Sequence, residues 1–158
     1  MAAALFQSKQ IAAFQPGIVP EGANAVVAVR NTVVITKVAE VGDTYEMVIL
    51  PANCVVVDMI LDADDLSAAA DILIDVGIMA GEVYDATLAN RTCGLEFIAS
   101  STVGQAGGAV RPTLAGAFRV APTKADRSIG LEMAAVSTTT ATGTIGLTVL
   151  YRAAINGA

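Results

Sequence analysis

This sequence predicts an all-β fold: a single β-sandwich, jelly-roll-like, with an extended N-terminal arm. Three observations carry that expectation. Apolar residues recur at every second position from about residue 25 onward, the period of strands with one buried face. Gly, Pro, Asn and Asp separate the runs, and no long amphipathic helix pattern lies among them. At 158 residues and 16.0 kDa the chain has the size of one domain, enough to bury about 70% of its unfolded surface. The alternation argues against a parallel α/β sheet, whose strands would be apolar on both faces.

Residues 1–23 precede the alternation. They carry Leu5, Phe6, Ile11 and Phe14 and break at Pro16 and Pro20, so they cannot build a core of their own. Either they dock on a partner surface as an arm, or they pack on their own domain as a short helix or edge segment. The sandwich is expected over 24–158. In the stretch Ala25–Thr36, Val27, Val29, Val33 and Ile35 share a parity that Asn31 interrupts, which points to a bulge or turn there. Tyr45, Met47 and Ile49 face inward next. Val55, Val57, Met59 and Leu61 then alternate with Asp58 and Asp62. The turn-like Asp64-Asp65-Leu66-Ser67 is expected to close a hairpin to Asp71–Met79, where Ile72, Ile74, Val76 and Ile78 share a face.

Ala68-Ala69-Ala70 reads as a turn of helix or a loop. Leu95 and Phe97 point inward, and a weaker strand covers Ala117–Val120 between Pro112 and Pro122. Two strong runs follow: Ile129, Leu131 and Met133, then Ile145, Leu147, Val149 and Tyr151. Ser100–Gly108 and Ser137–Gly143 read as surface loops, and the tally is seven or eight strands.

Composition removes several functions. With no His and no Trp, an imidazole proton shuttle or metal ligand is absent, so Ser-His-Asp, Cys-His and H-E-x-x-H sites are excluded. A net charge of −6 disfavours a nucleic-acid ligand, which needs a basic surface. Met1–Gln10 lacks the basic and apolar regions of a secretory signal. Met133–Tyr151 is long enough for a membrane span but carries seven Ser and Thr residues, which speaks against one. Cys54 and Cys93 are too few for a disulfide framework and read as reduced, packed thiols.

Charge is uneven. From Val38 to Asn90 there are eleven acids and no Lys or Arg, so a segment at −11 is joined to the rest at +5. A solvated acidic face explains this simply. The sharper reading sets Arg111, Arg119, Arg127 and Arg152 against the acidic face of a neighbouring copy or another protein. Asp62, Asp64 and Asp65 suggest a hard cation, but Ser67 stands where an EF-hand needs Gly and Leu73 where it needs an acid. Asp58 and Asp75 could split their pKa values as an acid/base pair, yet nothing places them in a cleft. Gly104-Gln105-Ala106-Gly107-Gly108 lacks the Lys and spacing of a phosphate loop, and there is no G-x-S-x-G or S-x-x-K nucleophile motif. The expectation is a protein that is no enzyme and takes no metal or cofactor.

Several blocks together resemble a family. They are Gln10-Ile11-Ala12-Ala13-Phe14-Gln15 with Gly17-Ile18 and Gly22-Ala23-Asn24-Ala25; Leu50-Pro51-Ala52-Asn53-Cys54 through Leu61-Asp62-Ala63-Asp64-Asp65-Leu66 to Asp75-Val76-Gly77; 97–108; 121–130; and 143–154. With them the chain resembles the small virion structural proteins of tailed bacteriophages, the class that includes capsid decoration or cement proteins. The resemblance covers most of the chain and carries over no catalytic motif. It implies a protein made in the host cytoplasm that sits on the outer head surface of the virion. There it would bind the major capsid protein and neighbouring copies of itself, with a trimer favoured, and engage neither nucleic acid nor membrane. Leu5, Phe6, Ile11, Phe14, Arg111, Arg119 and Arg127 are the candidate partner-binding residues. A receptor-binding or glycan-binding module of a phage tail or fibre is the alternative. With seven aromatics in the chain, several of them at expected core positions, few remain to stack on sugars. A virion-associated hydrolase is disfavoured by the missing nucleophile motifs.

Overall fold

A computed structural model describes residues 3–22, 25–36, 38–66, 71–136 and 142–154. Two sheets face each other as a β-sandwich. Among the described residues the strands are β1 (Leu5–Gln7), β2 (Val26–Ile35), β3 (Thr44–Leu50), β4 (Cys54–Ala63), β5 (Leu73–Ile78), β6 (Ile98–Ser101), β7 (Gly108–Val110), β8 (Arg127–Ala135) and β9 (Gly143–Ala153). One sheet runs β1-β3-β8-β5-β6 and the other β2-β9-β4-β7. One turn of helix, α1 (Lys9–Ala12), follows β1, and Ser8 caps it by accepting from the Ile11 backbone N–H.

The inward residues of β8 and β9 are those the alternation marks: Ile129, Leu131, Met133, Ile145, Leu147, Val149 and Tyr151 are all buried. Ile72, Ile74, Val76 and Phe97 join them in the same core. Removing this much apolar surface from water is the main driving force for the fold. The region 133–151 holds parts of two strands in different sheets, and no helix among the described residues is long and apolar enough to cross a membrane.

Several local expectations are corrected. β4 and β5 do not form a hairpin, because β4 belongs to the four-stranded sheet and β5 to the five-stranded one. The acidic stretch after Ala63 is therefore a crossing between sheets; its Asp64 carboxylate accepts the Thr144 N–H at 2.7 Å. A bulge between Val56 and Asp58 shifts the parity of β4. Cys54, Val56, Met59 and Leu61 are inward as a result, and Val55 and Val57 are half-buried on the outer face.

Asn31 breaks nothing. β2 pairs with β9 in unbroken register from Val26 to Ile35, and the Asn31 amide satisfies itself on the Met47 carbonyl at 3.0 Å. Ala115–Arg119 is a 3-10 turn where a weak strand was expected. Leu95 is 53% exposed, since the chain there follows the bridge between Met79 and Cys93 and lies outside any strand. The 100–108 stretch is more ordered than a loop: it holds the end of β6, a 3-10 turn with buried Gly104, and the start of β7. The expectations for 68–70 and for most of 137–143 lie outside the described residues.

Candidate functional site

The N-terminal segment is built onto the sandwich. β1 pairs in parallel with β3, Leu5 beside Thr44 and Phe6 beside Tyr45. Leu5 is half-buried in this edge strand. The Phe6 ring stacks on Tyr45 with centroids 4.7 Å apart. Ile11 is 0% exposed, so in this conformation its side chain cannot touch a partner. Phe14 differs: it is 70% exposed, with a left-handed backbone (φ 54°) and its ring tilted against Tyr84. Beyond it, the Tyr84 hydroxyl donates to the Gln15 carbonyl at 2.7 Å and the Tyr151 hydroxyl to the Ile18 carbonyl at 2.6 Å. These two phenols tie down a stretch that Pro16 and Pro20 keep out of regular structure. Phe14, Ile18 and Val19 remain exposed together on it.

The basic candidates separate. Arg111 pairs with Asp58 of its own chain, and Arg30 likewise with Asp62. Both pairs are exposed on the arginine side and contribute little to stability. Arg127 is half-buried and donates to the Ala121 carbonyl at 3.0 Å; burial lowers its pKa. Arg119 is exposed at the end of the 115–119 turn. The acids Asp58 and Asp75 stand in different sheets, and Asp75 accepts the Ser100 N–H at 2.6 Å, so they make no catalytic pair. Among the described residues no group of three or more His, Cys, Asp or Glu could hold a metal ion.

A buried polar cluster escaped the sequence reading. Glu46 and Arg91 form an ion pair with neither side chain exposed. The Glu46 carboxylate also accepts from the Ser128 hydroxyl, the Tyr84 N–H and the Gln7 amide. Arg91 donates further to the carbonyls of Ala80 and Glu82 at 2.7 and 2.8 Å. The available signal was an acid in the middle of an apolar strand, which needs a buried partner. Cys54 and Cys93 are free thiols, and burial pushes Cys93 up to about 12, which removes the thiolate needed for reactivity.

No protein-family model and no curated protein matches the chain. Among solved structures it is similar to a chain of the capsid of Ralstonia phage GP4, with 42% identity and a TM-score of 0.90 over 97% of this chain and 100% of that one. A chain of the cyanophage Pam1 capsid asymmetric unit matches at 23% identity and a TM-score of 0.65, covering 88% of this chain and 94% of that one. A chain of the acidic stable capsid of Helicobacter pylori bacteriophage KHP30 matches at 13% identity and a TM-score of 0.52, over 83% and 94%. These two share the fold. The first shares sequence along nearly the whole chain as well, and with it this chain belongs to a family of phage capsid proteins.

Proposed function

We propose that the chain is a decoration, or cement, protein that binds the assembled phage head and holds neighbouring capsid subunits together without catalysis. The observation that carries this reading is the similarity to a chain of a phage capsid, 42% identical over 97% of this chain and 100% of that one. Its form supports binding to a finished shell over tiling one by itself. Three of the four sheet edges end in strands of three or four residues, β1, β6 and β7, which discourages growth by edge pairing. A net −6 on every copy opposes close self-packing over many faces. The exposed Phe14, Ile18 and Val19 offer an apolar contact to a subunit below. The partners in this reading are the major capsid protein and neighbouring copies, with a trimer as the favoured arrangement on the outer head surface.

Electron microscopy of virions with and without this chain tests the proposal. Density for the sandwich is expected on the outside of the head, above junctions between subunits, and it should vanish when the chain is missing. Density confined to the head interior or the tail would contradict it.

A further inference from the structure

We infer that the groove between the outer face of the four-stranded sheet and the 115–122 segment docks a segment of another virion protein that carries a carboxylate beside an aliphatic or aromatic side chain. This rests on the virion-binding reading above and adds where and by what chemistry the contact is made.

The groove encloses about 530 Å³. Its floor is the outer face of the sheet, where Arg152 and Val55 stand side by side in register and Val57 follows. An outward sheet face is ordinarily polar, yet here it presents valines. The wall is the 3-10 turn with Phe118, 52% exposed, at its lip. That wall is preformed: Ala117 anchors it in the core, the Arg127 guanidinium holds the Ala121 carbonyl, and the Asn53 N–H holds the Thr123 carbonyl at 2.7 Å. A rigid groove loses little conformational freedom on binding.

Charge selects the occupant. Arg30, Arg91 and Arg111 are each matched by a carboxylate of the chain. Arg119 and Arg152, which both line the groove, make no ion pair among the described residues. Two guanidinium groups with no carboxylate partner among the described residues, Arg152 donating only to the Ala153 carbonyl at 3.2 Å, therefore line an apolar groove in a molecule of net charge −6. A carboxylate accepts bidentate bonds from such groups, and its apolar neighbour fills the space over Val55, Val57 and Phe118. Arginine next to an aromatic is also a composition enriched among the residues that dominate interface energies. A nucleic acid fits poorly, because it needs many cations and would meet the surrounding acids.

The test uses phage shells assembled without this chain. At about 0.15 M salt, wild-type protein should co-sediment with them, and Arg119→Glu with Arg152→Glu should weaken binding about 30-fold with an unchanged melting temperature. Equal binding by the double variant would overturn the groove assignment while leaving the decoration role intact. No binding by wild type would overturn both. A second measurement avoids charge reversal: Phe118 is replaced by photoreactive benzoylphenylalanine and cross-linked on the shell. The expected product joins it to an acidic, apolar segment of another protein; attachment to a second copy of this chain, attachment to DNA, or no product would overturn the inference.

Discussion

Glu46 and Arg91 stand 45 positions apart and meet where neither is exposed. Removing one partner strands the other charge, so Arg91→Ala should cost about 3–5 kcal/mol in chemical denaturation, whereas replacing the pair with Met and Leu should cost far less. Equal losses from both would contradict this account of the cluster. Titration gives a second residue-scale prediction. Burial raises Cys93 from 9.0 to about 12 and Tyr151 from 10.0 to about 12; Tyr45 is raised too, by burial and then by Asp43. The folded protein thus keeps protons that the unfolded chain releases. Stability is complete below about pH 9 and falls as pH rises toward 12. Urea unfolding from pH 8 to 12 should show that decline, and Cys93→Ala should flatten its lower part and Tyr151→Phe its upper part. A flat profile in the wild type would refute it.

At the scale of elements, the N-terminal segment is packed into the sandwich through Ile11 and tied to its surface beyond, where Phe14, Ile18 and Val19 stay exposed. Ile11→Ala should lose about 2–5 kcal/mol, while Phe14→Ser should change stability by no more than about 0.5 kcal/mol and weaken attachment to shells. Calorimetry of the two variants checks the contrast; similar melting temperatures would show that Ile11 is not held in the core. Deleting the whole segment would confuse folding with binding, which is why single substitutions are the cleaner probe. The legibility of each element follows from its physics. β8 and β9 alternate without a break, so parity alone identified their buried residues. β4 misled because one bulge reverses parity, and local pattern contains no warning of it. The β4–β5 hairpin failed for a different reason: a turn-like sequence can close a hairpin or cross between sheets, and only long-range packing decides. The Glu46–Arg91 pair was hidden because periodicity reports which face is apolar and says nothing about which distant cation answers a buried acid. Of the candidate contact residues, Phe14 and Arg119 stay on the surface, while Ile11 is core and Arg111 is engaged by Asp58. Val55 and Arg152 could become groove partners only once strand register was known.

For the whole molecule, two packed sheets make a block with three short edge strands among the described residues and a net charge of −6. In the proposed role such a block would act through its surfaces, and its effect would multiply when many copies engage one shell. Binding the assembled state over free subunits would draw the assembly equilibrium toward the closed head, and simultaneous contact with several subunits would raise the effective concentration of each bond. Modest individual contacts are then sufficient. The most direct measurement is the temperature at which phage shells lacking this chain come apart, read by light scattering as purified protein is titrated in. A saturable rise of that temperature, reached at a fixed number of copies per shell, is the result predicted; binding that leaves the temperature unchanged, or no binding, would contradict the cementing role.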